Sequence, residues 1–274
     1  MRCLHCTMIF SDPVPEDLIS GAFYDQEGKP FYLDAGKLRA DYSATRFQRE
    51  LSVLARTVPS GSILDVGCSS GGFLFQLKKQ FPNRYQGFGC DVSQPPLDFA
   101  EGRGLAIRRG SFLDFSPADA RYQAITFWAV LEHLVEPRHF LKKAHDLLAD
   151  GGHCFAVVPN MGSLAVRFLG ARYRYILPQH VNYFTRRTLL RLCRERFEIK
   201  TITSTHFSPL VILQDMLRRQ SPVTEQDRVA LLQRTTRYKE NPWLAPVKSA
   251  YRLTERVLGR VNLADNLMIV MQRV

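Results

Sequence analysis

Three titratable side chains and one glycine-rich run are where chemistry is most readily read in this 274-residue chain. Glu132 and His133 stand side by side just beyond the apolar stretch 124–128. An imidazole titrates near neutrality, so a histidine in a cleft is suited to take a proton from a weakly acidic group. His133 is therefore the first candidate base, with Glu132 either orienting it or acting itself. The plainer alternative is that Glu132 pairs locally and His133 only packs over a ligand. His180 is the third candidate, as a residue lining a substrate pocket, with Tyr183 beside it. Tyr183 and Phe184 serve equally well as hydrophobic staples for a following helix.

The second feature is Ile63-Leu64-Asp65-Val66-Gly67-Cys68-Ser69-Ser70-Gly71-Gly72-Phe73-Leu74. An apolar strand runs into a glycine-rich turn that opens a helix. Glycine lets the backbone approach a ligand without a Cβ clash, and the first helical turn leaves N–H groups free to meet it. Asp91 ends the next strand, about 20 residues on, where a carboxylate can accept both hydroxyls of a ribose. The G-x-G-x-x-G fingerprint of dinucleotide sites is not met, because Ser69 replaces the glycine that lets a pyrophosphate approach. A nucleoside without pyrophosphate fits better than NAD.

These residues need a scaffold, and the hydrophobic pattern supplies one. Helical spacing covers 35–57, through Leu38, Tyr42, Phe47, Leu51, Leu54 and Ala55, and stops at Pro59-Ser60-Gly61. Strand and helix signals then alternate. Strands are predicted at 62–66, 85–90, 107–110, 124–128 and 153–158. Helices are predicted at 71–81, 97–101 (shortened by Pro95-Pro96) and 137–148, the last closed by Asp150-Gly151-Gly152. This order implies a parallel sheet with helices on both faces. Beyond Pro159 come a helix at 185–196 capped by Thr185, a strand at 197–205, and helical stretches near 209–220, 224–240 and 243–260. A last strand is predicted at 267–273.

Taken together, the blocks resemble class I S-adenosylmethionine (SAM)-dependent methyltransferases over residues 60–205 and again at both ends. The likeness rests on 63–74, on Phe127-Trp128-Ala129-Val130-Leu131-Glu132-His133-Leu134 with Pro137 following, and on Gln179-His180-Val181-Asn182-Tyr183-Phe184-Thr185. The second and third blocks are more specific than the glycines. They look like bacterial methyltransferases of quinone precursors, sugars and polyketide or lipid intermediates. The resemblance implies an α/β, Rossmann-like, doubly wound sheet of seven mostly parallel strands, with a helical insertion before the last strand. It divides the chain into an N-terminal segment (1–34), a core (35–205), a substrate-covering insertion (206–262) and a final core strand (263–274).

By position, the resemblance places Asp65 beneath the methionine amino group of SAM, with Gly67, Cys68 and Gly71 along its path. Asp91 would hold the ribose, Val92 would lie beside the adenine, and Ser111 and Phe112 would flank that ring. Trp128, Ala129 and Val130 would close the pocket, and Ser69 and Phe73 complete the cofactor set. Two positions depart from the family: Ser69 where glycine is usual, and Ser111 where an acid is usual, which implies weaker adenine anchoring. Methyl transfer is an in-line displacement helped mainly by positioning, with a base wanted for an oxygen or carbon acceptor.

Composition bounds the partners. Residues 160–274 hold 20 Lys and Arg against 8 Asp and Glu, whereas residues 1–159 hold 17 against 18, so the whole +11 surplus lies late in the chain. Such a region can face an acidic acceptor, an anionic membrane or nucleic acid. Nucleic acid is disfavoured, since no Asn-Pro-Pro-Tyr type motif or RNA-binding module is present. The expected acceptor is a small molecule, acidic or lipid-linked. The amphipathic stretch 242–261 would cover the site, form a dimer surface or touch a membrane peripherally. A monomer or homodimer is expected. The other function classes are a nucleic-acid methyltransferase using the basic half and a non-catalytic SAM-binding subunit.

Apolar runs are far shorter than the ~20 residues of a membrane span, and no signal peptide is apparent, so a cytoplasmic protein is expected. The six cysteines read as reduced thiols. Cys3 and Cys6 form one C-x-x-C, half of the zinc ribbon with which related methyltransferases often begin. Zinc normally takes four ligands, so no metal is expected within a single chain.

Overall fold

The structure, a computed structural model, describes residues 1–274 apart from 27, 119, 208, 218–223, 242 and 244, and the side chains at 26, 28–29, 210–211, 217, 225, 245–250 and 252. An N-terminal strand β1 (Ile9–Phe10) leads to short helices α1 (Glu16–Ser20), α2 (Ala22–Gln26), α3 (Gly28–Tyr32) and α4 (Ala35–Asp41). Helix α5 (Gln48–Thr57) precedes the core units β2 (Gly61–Val66), α6 (Gly72–Gln80), β3 (Tyr85–Cys90), α7 (Gln94–Gly102), β4 (Ala106–Ile107) and β5 (Tyr122–Trp128). Then come α8 (Pro137–Leu147), β6 (Leu148–Pro159), α9 (Leu164–Leu169), β7 (Asn182–Tyr183), α10 (Arg186–Cys193) and β8 (Phe197–Thr205). Three helices, α11 (Pro209–Leu217), α12 (Glu225–Glu240) and α13 (Ala245–Arg260), separate β8 from β9 (Asn266–Arg273).

Seven strands form one sheet in the order β4-β3-β2-β5-β6-β9-β8. The pairs β2–β3, β2–β5, β3–β4 and β5–β6 are parallel, while β9 runs antiparallel to both β6 and β8. This is the predicted mostly parallel, Rossmann-like α/β sheet with its helical insertion before the last strand. Strand side chains alternate between faces, so a strand covered on both sides must be apolar throughout. On β2, Leu64 joins a core with Phe127, Ala156 and Ile269, while Ile63 joins a second core with Leu54, Leu77 and Phe155. The cores lie on opposite faces, and the sheet's C-terminal edge is left free for a ligand.

The differences from the pattern have local causes. The helix predicted over 35–57 is two helices, broken between Tyr42 and Phe47, where Tyr42 donates to the Ser70 carbonyl and its own carbonyl accepts from Gln76. Pro95 and Pro96 do not shorten α7; they stand in its first turn, where no intrahelical N–H is needed. The strand predicted at 107–110 is only Ala106–Ile107, because the chain leaves the sheet toward a 3₁₀ turn at Phe112–Asp114. Asp150-Gly151-Gly152 does not close α8, which ends at Leu147 and runs directly into β6. Thr185 caps α10 as expected, in a reciprocal box with Thr188. The end of the helix predicted at 209–220, and Leu244, Val247, Lys248 and Arg252 of the predicted amphipathic face, lie outside the described residues or side chains. Among the described residues no helix is long and apolar enough to cross a membrane.

Candidate active site

The turn after β2 is shaped by two glycines. Gly67 has φ +73°, and a Cβ there would stand 2.5 Å from Val130 Cγ2. Gly71 has φ +80°, caps α6, and a Cβ there would meet Leu105 Cδ1 at 2.4 Å. Gly71 thus serves close packing of the helix against the core, whereas Gly67 brings backbone to the cavity wall. Between them Ser69, also left-handed at φ +50°, donates its N–H to Asp91 Oδ2 at 2.8 Å. The other oxygen, Asp91 Oδ1, accepts from Ser93 N at 3.0 Å. The ends of β2 and β3 are thereby tied together through one carboxylate.

Asp65 lies behind this turn, buried, accepting from Thr126 Oγ1 at 2.6 Å. Burial, aided by the charge of Asp91 and opposed by the Thr126 hydrogen bond, pushes its pKa up to about 7. Trp128 packs on Phe73 and Phe155 with its indole Nε1 buried and unpartnered, and Ser69 Oγ is likewise buried without a partner. These groups suit the methionine end of SAM: a carboxylate for its ammonium, and a donor and a hydroxyl for its carboxylate. Val92, Ser111, Phe112, Ala129 and Val130 line the same cavity with Cys68. Thr126 went unnoticed in the sequence, though its place on β5 opposite Asp65 is the parallel-pair register.

The N-terminal helices, which carried no periodic signal, cross this edge as a strap. Ser93 Oγ donates to the Tyr24 carbonyl at 2.9 Å, and Gln94 N donates to Asp25 Oδ1 at 3.1 Å. Tyr24 Oη lies 3.1 Å from His133 Nδ1. Sequence pattern alone gave no hint of Tyr24, since a lone tyrosine in a five-residue helix has no spacing to betray it.

Glu132, His133 and His180, predicted from separate blocks, converge on one point. The His133 and His180 rings meet edge to face with centroids 4.6 Å apart. His133 Nδ1 lies 3.0 Å from the Gln179 carbonyl, and His180 Nδ1 lies 2.8 Å from the Tyr175 carbonyl. A carbonyl only accepts, so both rings carry their proton on Nδ1 and leave Nε2 as a free lone pair. Burial, opposed by the Gln179 carbonyl, pushes His133 down to about 4; burial and the neighbouring His133, opposed by the Tyr175 carbonyl, hold His180 well below the usual histidine range. Burial pushes Glu132 up to about 8, and its Oε2 has no partner. At neutral pH the cluster is two neutral imidazoles beside a neutral carboxylic acid. One ligand-capable atom from each of the three lies within 4.8 Å of the others, a spacing that side-chain rotation can close around a cation.

Cofactor wall and histidine cluster share a chamber of about 2450 Å³, roofed by α12 and α13 and walled by the strap. That exceeds the roughly 300–1,000 Å³ of ordinary ligand sites more than twofold. Arg228 of α12 lies over the Phe31 ring at 4.3 Å. Arg174 donates to Asp215 on α11 from Nε at 2.7 Å and also from Nη2. Tyr183 Oη turns away to the Leu177 carbonyl, and its strand pairs with β1.

A seven-stranded sheet with one reversed strand, and a site at the sheet's C-terminal edge built on a glycine turn, define the fold of class I SAM-dependent methyltransferases. Residues 39–197 match the methyltransferase domain family, and the chain belongs to that family. It is 28% identical over 167 residues to the ubiquinone biosynthesis O-methyltransferase of Ruegeria pomeroyi, covering 57% of this chain and 66% of that protein, just under two thirds of its length. Its fold is similar to that of a SAM-dependent methyltransferase from Archaeoglobus fulgidus, with TM-score 0.56, 15% identity, and 90% and 98% of the two chains covered. It is also similar to the N-methyltransferase NodS of Bradyrhizobium japonicum in complex with S-adenosylhomocysteine (SAH), with TM-score 0.52, 14% identity, and 90% and 97% covered.

Proposed function

We propose that the chain transfers the methyl group of SAM to an oxygen or carbon of a small-molecule acceptor, with oxygen favoured by its likeness to quinone O-methyltransferases. The observation that carries this reading is the joining, in one cavity, of the Asp65–Asp91 cofactor wall to an uncharged Glu132–His133–His180 cluster. Asp65 meets the SAM ammonium, Trp128 Nε1 donates to its carboxylate, and Asp91 takes the ribose hydroxyls. Val92, Ser111 and Phe112 flank the adenine. The reacting methyl then points toward the histidines, where a neutral imidazole accepts the proton of an acceptor hydroxyl as the oxygen attacks. Positive charge leaves the sulfur in this step, so a centre lined by uncharged side chains favours it. The large chamber under α12 and α13 accommodates an acceptor bigger than a single ring.

Calorimetric titration with SAH tests the cofactor half directly. The wild-type protein should bind one SAH per chain with micromolar affinity. Asp91→Ala should lose about 2–4 kcal/mol of it, because a charged acceptor of several hydrogen bonds is removed. A well-folded protein that ignores SAH would sink the proposal.

A further inference from the structure

We propose that Glu132, His133 and His180 bind a divalent transition cation of the zinc class, held at the junction of the cofactor wall and the acceptor chamber. This departs from the expectation of a metal-free chain. It rests on the methyl-transfer reading for its chemistry, though not for its binding test.

Three observations carry it. The first is convergence: one ligand atom from each residue lies within 4.8 Å of the other two. Tetrahedral ligands at 2.0–2.2 Å from zinc stand roughly 3.4 Å apart, so the side chains need to draw in by about 1.4 Å at most. The second is orientation. Both imidazoles donate Nδ1–H to backbone carbonyls, of Gln179 and of Tyr175, which frees both Nε2 atoms. Metal-bound histidines characteristically have their second nitrogen fixed in this way. The third is the buried Glu132 Oε2, which has no hydrogen-bond partner despite being 1% exposed as a residue. A buried carboxyl oxygen left unpaired is costly, and a cation removes that cost.

The donor set points to the kind of ion. Two nitrogens and one oxygen suit zinc, iron, cobalt or nickel; magnesium and calcium prefer oxygen alone. Three protein ligands leave at least one position open, and all three residues line the chamber. An acceptor hydroxyl entering that position would lose its O–H proton to water in the chamber. Its oxygen lone pair then forms the new C–O bond while the C–S electron pair stays on sulfur, leaving neutral SAH. With both Nε2 lone pairs bound to the cation, the imidazoles would no longer serve as the base, and the cation would take over by lowering the pKa of the hydroxyl.

Cys3 and Cys6 are a competing soft-metal pair, so the test uses the full chain carrying Cys3→Ser and Cys6→Ser, stripped with a chelator. Zn²⁺ is titrated by calorimetry and Co²⁺ by visible absorption. One ion per chain is expected, with His180→Ala and Glu132→Gln each weakening it about 100-fold or more, beyond the loss typical of an outer-shell partner. SAH binding reports that each variant is folded. Absence of saturable binding, or binding unmoved by either substitution, overturns the site while leaving methyl transfer standing. Zn²⁺ bound through these residues in a protein that ignores SAH has the opposite meaning: the site stands and the methyl-transfer reading falls.

Discussion

The two ends of the chamber are built by different means. At the cofactor end the polar contacts come mainly from strand ends: Asp65 lies at the end of β2, Asp91 follows β3, and Thr126 and Trp128 lie at the end of β5. Register in the parallel ladder fixes their separations, so backbone geometry does the positioning. At the acceptor end the walls are a strap of five-residue helices, the loop 170–180 and the helical insertion. Here side chains hold the parts together: Tyr24 against His133, Arg228 over Phe31, Arg174 on Asp215. A sheet edge is rigid and shared by a family, whereas a wall of paired side chains can be rebuilt by a few substitutions.

The strongest way to break the comparison is to damage one end and look at the other. The Arg174–Asp215 pair is nearly buried, with side-chain exposures of 12% and 5%. Arg174→Ala leaves the buried Asp215 carboxylate without its cationic partner, at a cost of about 3–5 kcal/mol. The expected outcome is loosening of α11 and its contact with α9, seen as new proteolytic cleavage in the insertion. SAH affinity should stay within about threefold, since distant sites behave independently. A parallel loss of SAH binding would show that the two ends form one cooperative unit.

The same contrast explains what was legible in the sequence. The glycine turn, Asp65 and Asp91 were readable because a turn at a strand end needs φ > 0 at Gly67 and the motif is local. Glu132, His133 and His180 were readable as types, but their convergence was not: 47 residues separate His133 from His180, and a loop with no periodicity brings them together. Tyr24 was invisible because α1 to α3 are too short to show spacing. The pairing of Arg174 with Asp215 was hidden, because the partners lie 41 residues apart, one in a loop and one on α11. The break at Tyr42–Phe47 was hidden for a related reason. Its cause is a tertiary pair of hydrogen bonds to Ser70 and Gln76 that outweighs a good local helical pattern.

A finer probe uses pH. Asp65 has its pKa raised to about 7 by burial and by Asp91. Its folded value exceeds the unfolded value of about 3.9, so the folded chain holds the extra proton between them. The Asp65 contribution to stability of the ligand-free protein is therefore fully present at low pH and declines as pH rises from about 4 through about 7. SAH reverses the sign locally, because its ammonium favours the ionised carboxylate. SAH affinity should rise several-fold between about pH 6 and pH 7.5, and Asp65→Asn should flatten the profile while lowering affinity throughout. A wild-type profile already flat over that range would mean Asp65 does not face the ammonium.

The smallest expected effect decides which end owns the strap. Ser93 touches both sides: its N–H holds Asp91, and its Oγ donates to the Tyr24 carbonyl. Ser93→Ala keeps the first contact and deletes the second, leaving a carbonyl unpaired near a buried residue, a loss of about 1 kcal/mol. If the strap closes over bound nucleoside, SAH should weaken about fivefold, the equivalent of that energy. Tyr24→Phe is the partner experiment, since it removes only the hydroxyl beside His133 and leaves the carbonyl in place. SAH affinity should then hardly change, while the acidity of His133, read from its imidazole NMR signals, should shift. Equal SAH losses in both variants would instead make the Tyr24 hydroxyl part of the cofactor wall. The strap would then join the sheet edge as one site, and the division between the ends would move outward to the insertion.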